Sequence, residues 1–210
     1  VSLGALSDAG ARELLDPTSP VRRDYEKLAG NLLGIEGTGV VVVTSPDSGA
    51  GRTSVCLGLG AAVAGMGRRA AVVDCNLENS QLHRMLGEPN FVGLTSGLDD
   101  SKTLEQHGYE VLPGLLVVPT GPILSAPASI LENKGFIKAV RYLRKSRDLV
   151  LLDAPVAEGV LRSPNLLGGF GGVLLVVHAS RTPKDAAREV ADDLLTAGVN
   201  LLGVVLNGCS

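Results

Sequence analysis

The stretch Val40 to Cys56, VVVVTSPDSGAGRTSVC, decides the fold. Four consecutive valines are too apolar and too β-branched for a surface segment, so Val40–Thr44 reads as a buried parallel strand. The run breaks at Ser45-Pro46-Asp47-Ser48-Gly49-Ala50-Gly51, a composition that neither helix nor strand tolerates. From Arg52 the pattern turns helical and stays apolar through Val55, Leu57, Leu59, Ala62 and Val63. Strand, glycine loop and helix in this order bring backbone N–H groups and a helix N-terminus to one point, the geometry that holds a phosphate.

The stretch meets the phosphate-loop pattern G-x-x-x-x-G-K-[ST] in part. Gly51 and Thr53 fit, Pro46 stands at the first glycine and Arg52 at the lysine. A tight strand-to-helix turn that binds nothing has the same outline, so this window alone leaves both readings open.

Around it, 210 residues suffice for one domain whose sheet is covered by helices on both faces. A formal net charge of −3 argues against nucleic acid, whose phosphates demand a basic face. No apolar run approaches the ~20 residues of a membrane span, and no signal-peptide pattern opens the chain. A cytoplasmic location is therefore expected, with contact to the inner membrane face only through a partner or a segment outside these residues. Cys56, Cys75 and Cys209 lack metal spacing and read as small buried residues. His83, His107 and His178 show no ligand spacing and receive no role, and Met66 and Met85 read as core filler.

In chain order, Val1–Pro17 reads as an arm with a turn of helix at Ala11–Leu15. Ser19-Pro20 reads as a helix cap with proline at the first helical position, opening a helix over Val21–Leu33. Strands are expected at Val40–Thr44, Ala70–Asp74, Leu115–Pro119, Leu149–Asp153, Gly172–His178 and Leu201–Asn207. Helices are expected at Leu82–Leu86, Ala128–Leu143 and Pro183–Ala197, the last capped by Thr182. Alternating strands and helices predict an α/β fold, a doubly wound, mostly parallel sheet in three layers. Ligands of such sheets bind at the carboxyl ends of the strands, where Thr44, Asp74, Asp153 and Asn207 fall.

With these elements in place, the chain resembles the cytoplasmic domain of bacterial tyrosine kinases (BY-kinases), regulators of capsule and exopolysaccharide export within the MinD/ParA-like deviant-Walker group. The resemblance rests on Asp16-Pro17-Thr18-Ser19-Pro20 with Tyr25, Leu28, Asn31 and Leu32, on Thr44–Thr53, and on Val72-Val73-Asp74 through His83. Leu151-Leu152-Asp153-Ala154-Pro155, Gly172–Val177 and Gly203–Asn207 complete it. It implies a single P-loop domain over residues 1–210, with an arm and lead-in helix in 1–35 and the α/β core in 38–210. It implies ATP/ADP held by Ser48, Gly49, Ala50, Gly51, Arg52, Thr53, Ser54 and Asn207. Mg²⁺ would be held by Thr53, Asp74 and Asp153, with Asp74 and Asn76 as the catalytic positions. The aspartates equally suit a purely structural role at strand ends.

The polar positions also depart from the family. Arg52 replaces a lysine and is not an equivalent phosphate clamp. Asn76 replaces the second aspartate of an Asp-x-Asp pair and cannot serve as a base. Glu78 stands in place of an arginine, and Arg162 stands where the family has another aspartate. The family's ring-forming Glu-x-x-Arg-x-x-Arg is Arg23-x-x-Glu26-x-x-Ala29, which reads as an i,i+3 pair on a solvated face. Tyr25, Tyr109 and Tyr142 are isolated and read as core or surface, and no tyrosine-rich tail precedes Ser210.

The expectation is a pseudokinase with weak or absent ATP and Mg²⁺ binding, a regulator or scaffold for a membrane polysaccharide co-polymerase or a related kinase domain, with homo-oligomerisation left open. Two alternatives stand beside it: an active tyrosine kinase or ATPase, and a MinD/ParA-like nucleotide switch. Without metal, two buried carboxylates need a counter-charge, so Arg52 or Arg162 is expected to pair with Asp74 or Asp153.

Overall fold

Val41 and Val43 enter a core on one face of a seven-stranded sheet, while Val40 and Val42 enter a second core on the other. Burial on both faces is why this strand is continuously apolar instead of alternating. The computed structural model describes residues 8–98, 104–123 and 132–209. Its elements are α1 (Ala9–Leu15), α2 (Arg22–Gly34), β1 (Val40–Thr44), α3 (Arg52–Gly65), β2 (Ala70–Asp74), α4 (Leu82–Leu86), β3 (Tyr109–Leu112) and β4 (Leu115–Val118). They continue with α5 (Lys134–Leu143), β5 (Leu149–Asp153), α6 (Ala157–Leu161), α7 (Pro164–Gly168), β6 (Gly172–His178), α8 (Lys184–Thr196) and β7 (Leu201–Asn207).

The strand order is β3-β4-β2-β5-β1-β6-β7, and every pairing is parallel except β3 with β4. Helices α1 to α4 cover one face and α5 to α8 the other. The chain winds outward from β1 in both directions, so the loop after β1 lies at the switch point where α/β sheets hold ligands. In the β2–β5 pairing Asp74 stands opposite Asp153, which puts both carboxylates at the same edge.

Tyr25 belongs to the core: its ring lies against α3 where residue 58 is glycine, and an added Cβ there would stand 2.5 Å from the ring. Burial pushes the Tyr25 phenol up to about 12.

Several local expectations are corrected. Ser19 and Pro20 do not cap α2; Val21 does, with no side-chain bond, and Ser19 instead accepts the Arg22 amide through its carbonyl at 3.1 Å. Thr182 does not cap α8, because its hydroxyl accepts the His178 N–H at 3.2 Å, and Pro183 holds the cap position. Glu26 pairs at 3.3 Å with Arg22, not Arg23. Arg22 is 7 % exposed and also donates to the Ala61 carbonyl at 2.6 Å, clamping α2 to α3. The hairpin partner β3 was not expected, since YEVL presents one buried residue in four and carries no buried-strand pattern. Met66 and Cys209 are exposed, as they sit past the ends of α3 and β7. The described part of the long helix begins at Lys134, and residues 128–131 of that expectation lie outside the described residues.

Candidate functional site

Two glycines shape the loop after β1. Gly49 (φ +79°) and Gly51 (φ +94°) are left-handed, a conformation that side chains with a Cβ adopt only under strain. Gly51 is needed twice over, because an added Cβ would meet Asn207 Nδ2 at 2.0 Å. Asn207 uses that amide to donate to the Ala50 carbonyl at 2.9 Å, tying the end of β7 to the loop. Ser48 and Gly49 are exposed at the loop tip, and Ala50 is buried beneath it.

Arg52, the first residue of α3, folds back into the loop. Its Nη1 donates to Ser45 Oγ at 3.0 Å, and Ser45 Oγ donates to the Asp47 carbonyl at 2.6 Å. Burial lowers the Arg52 pKa, while Asp153 and Asp74 oppose that shift through space. Among the described residues, no ion pair joins Arg52 to either aspartate. Arg162 pairs with Glu158 in solvent. The expected internal ion pair is therefore absent among the described residues, because the Arg52 guanidinium is turned to Ser45 and Arg162 is held by Glu158 at the surface.

Those donors differ between the two carboxylates, both fully buried. Asp74 Oδ1 accepts the Asn76 amide at 3.1 Å, and Oδ2 accepts the Ser80 hydroxyl at 2.8 Å and the Leu82 amide at 3.3 Å. Asp153 Oδ2 accepts the Thr53 hydroxyl at 2.7 Å, and its Oδ1 has no partner among the described residues. Burial raises both pKa values above the ordinary carboxylate range. Repulsion from Asp74 adds to the rise at Asp153, and the hydrogen bonds at each residue oppose it.

Ser80 opens a polar relay that sequence reasoning missed. Its Oγ lies 3.0 Å from His83 Nδ1 and accepts from Thr120 Oγ1 at 3.2 Å. Thr120 in turn accepts from Asn90 Nδ2 at 2.9 Å. His83, to which no role was given, has its pKa lowered by partial burial and by Arg84. A hydroxyl six residues after a strand-end aspartate was the available signal; Thr120 and Asn90 left none.

A cavity of about 300 Å³ opens beside the loop. Gly49, Gly51, Arg52, Thr53 and Ser54 form one wall, with Asn76, Asn79, Gln81 and Met85 opposite. Asn76 spends its side-chain amide on the Asn79 carbonyl at 3.0 Å, so it shapes the wall. The sequence-predicted residues are thus gathered at one edge of the sheet. Glu78 and Arg162 are not among this cavity's walls and face a separate one.

A buried carboxylate oxygen without a donor, beside a hydroxyl and below a loop of left-handed glycines, is a set of hard oxygen donors that fits Mg²⁺ with a phosphate. Asp74 fits less well, since both its oxygens already accept from the protein.

Residues 41–209 match the CobQ/CobB/MinD/ParA nucleotide binding domain family. Over 172 residues the chain is 33% identical to the putative tyrosine-protein kinase EpsB of Ralstonia solanacearum, covering 81% of this chain and 23% of EpsB. It is 28% identical over 169 residues to the tyrosine-protein kinase YwqD of Bacillus subtilis, covering 80% of this chain and 71% of YwqD. Among solved structures, the kinase domain of VpsO superposes with a TM-score of 0.80 at 26% identity, over 90% of this chain and 96% of that domain. The chain thus spans about a quarter of the EpsB length. No helix among the described residues is long and apolar enough to cross a membrane.

Proposed function

The chain belongs to the CobQ/CobB/MinD/ParA nucleotide-binding domain family, its relatives are bacterial tyrosine kinases, and from that premise we propose that it is a catalytically impaired kinase domain acting as regulator or scaffold in capsule or exopolysaccharide biosynthesis. In this reading residues 1–210 act as one domain, with 1–35 leading into the 38–210 core. Its partners are a membrane polysaccharide co-polymerase or a related kinase domain. The observation that carries the reading is the state of Asp74: both oxygens accept from the protein, and Asn76, two residues on, is no base. The one carboxylate oxygen without a donor among the described residues belongs to Asp153, and in this reading it is the oxygen that would face Mg²⁺.

Nucleotide binding is expected to be weak, because Arg52 takes the place of the lysine clamp and is folded back onto Ser45, with Asn76, Glu78 and Arg162 also departing from the family's pattern. Thr53 and Asp153 are the residues that would hold Mg²⁺, which when bound would neutralise phosphate charge. Calorimetric titration with Mg·ATP and Mg·ADP, together with mass spectrometry for phosphotyrosine after incubation with ATP, tests this. Weak or undetectable heats and no phosphotyrosine are expected. Arg52→Lys combined with Asn76→Asp should raise the affinity. Turnover by the unmodified chain that Asp74→Ala abolishes would overturn the reading in favour of an active kinase.

A second reading, a MinD/ParA-like switch that binds nucleotide without turnover, draws support from the unpartnered Asp153 oxygen and the formed glycine loop. Tight Mg·ATP binding with no product separates it from the first.

A further inference from the structure

Charge is spread unevenly over this chain. Residues 134–147, which form α5 and the short turn after it, contain Lys134, Lys138, Arg141, Arg144, Lys145 and Arg147 and no carboxylate. The whole chain carries −3, so the remainder is more acidic than the whole by these six charges. α5 turns Phe136, Ala139, Val140 and Leu143 into the core. Lys134, Lys138 and Arg141 follow at intervals of four and three, within about 60° of one another around the helix and opposite that apolar stripe. Lys145 continues the row into the turn Arg144–Ser146, and all four side chains are exposed. Arg147 is 11 % exposed and taken by Glu105, but no other cation of the segment forms an ion pair among the described residues. Tyr142, 40 % exposed, stands beside the row with the Lys145 ammonium 5.2 Å from its ring centroid. On the flank, residues 164–171 carry no charge, and Gly169 lies against α5, where an added Cβ would stand 3.6 Å from Ile137 Cδ1.

We propose that the exposed row of α5 docks this domain on a bilayer surface that contains anionic phospholipids. The row runs about 16 Å from Lys134 to Lys145, and a flat array of headgroup phosphates can meet all of its cations at once. Long stems carry the charged heads to the phosphates while the apolar stripe of α5 stays in the core, so the contact is electrostatic. Tyr142, with an apolar ring and a polar tip, suits the headgroup level. The same surface repels the acidic remainder of the chain, which orients the domain with this face toward the lipid. Arg141 and Arg144 also line a cavity of about 500 Å³, but Glu36 and Asp148 line it with them. Those carboxylates disfavour a single acidic group entering there and leave the open row as the binding element. Helix α3 and the head of the glycine loop lie on the other face of the sheet, so the assignment does not depend on nucleotide being bound.

The test is co-sedimentation of the whole chain, without nucleotide, with vesicles at low ionic strength. One set is phosphatidylcholine with about a third phosphatidylglycerol, and the other is phosphatidylcholine alone. Saturable binding to the first and none to the second are expected, with the binding lost as salt is raised. Lys138→Glu with Arg141→Glu, both at exposed positions, should weaken binding at least about tenfold. Lys138→Gln with Arg141→Gln is gentler on the fold and should give a smaller loss in the same direction. Arg23→Glu with Lys27→Glu makes the same change in net charge at exposed positions of α2, on the other face of the sheet, and should leave binding within about threefold. No binding at low salt, equal binding to phosphatidylcholine alone, or equal losses from the α5 and α2 pairs would overturn the proposal. Poly-glutamate or a single-stranded oligonucleotide bound more tightly than the vesicles, with the same dependence on Lys138 and Arg141, would overturn the assignment to lipid.

Discussion

Asp74 and Asp153 end adjacent strands, face each other in register and are both fully buried, yet they are held in opposite ways. Asp74 is surrounded by donors from the next eight residues: the Asn76 amide, the Ser80 hydroxyl and the Leu82 amide. Asp153 receives one hydroxyl, Thr53, from a hundred residues away, and one of its oxygens receives nothing. The first carboxylate organises a turn and the start of α4. The second is left incomplete, and an incomplete buried carboxylate is a place for a cation. Two aspartates at equivalent strand ends are therefore held differently: Asp74 is satisfied within the fold, and Asp153 keeps the oxygen that the proposed Mg²⁺ would take.

The largest effect expected from this contrast follows removal of the first carboxylate. Asp74→Ala leaves three donors facing an apolar space, each worth about 1–3 kcal/mol when left unmatched. Relief of repulsion on Asp153 offsets part of this, so a net loss of about 3 kcal/mol in urea unfolding is expected. A loss near zero would break the contrast.

The pH dependence comes next. Both aspartates have folded pKa values raised above their unfolded ones, chiefly by burial. Between the ordinary carboxylate range and the raised native one, the folded state binds more protons than the unfolded state. The pair's contribution to metal-free stability therefore increases as pH falls through the native pKa values, and is complete below the unfolded ones. The slope reaches at most about 1.4 kcal/mol per pH unit for each extra proton held. Asp153→Asn should flatten the profile, read by thermal unfolding at a series of pH values. An unchanged profile would mean that Asp153 is not the titrating partner.

Asp153→Asn itself should act in the reverse direction to Asp74→Ala. It removes a buried charge while a side-chain oxygen still accepts from Thr53, so the metal-free protein should gain about 1 kcal/mol. The same variant should lose any rise in Tm produced by Mg·ATP. Destabilisation of the metal-free protein would show that the second carboxylate, too, serves the fold.

The smallest effect sharpens the contrast on the Asp74 side. Ser80→Ala deletes one of three donors and disconnects Thr120 and His83 from the carboxylate. A loss of about 1 kcal/mol is expected, with Ser80→Thr largely restoring it. No loss would place the hold on Asp74 in the two backbone amides alone.

The strands of the central sheet were legible because burial on both faces demands uninterrupted β-branched and apolar runs. Val40–Thr44, Ala70–Asp74 and Leu149–Asp153 appear at their expected bounds. The glycine loop was legible for a similarly local reason, since closely spaced glycines after a strand permit left-handed turns that other residues resist. Tyr109–Leu112 was not legible, because an edge strand with mixed burial carries no such pattern. Nor were the caps, where Ser19 and Thr182 have the right chemistry but their bonding groups are turned to other partners.

By itself, the sequence determined which residues reach the ligand edge of the sheet, because alternating strands and helices fix where each strand ends. The tertiary structure alone decided what each residue does there. Arg52 turns to Ser45 instead of the aspartates, Asn207 reaches the Ala50 carbonyl from 157 residues away, and Asp153 keeps a bare oxygen. Local pattern places a side chain on an element. Its partners come from segments remote in the chain, and only packing sets which of several chemically suitable donors arrives within hydrogen-bonding distance.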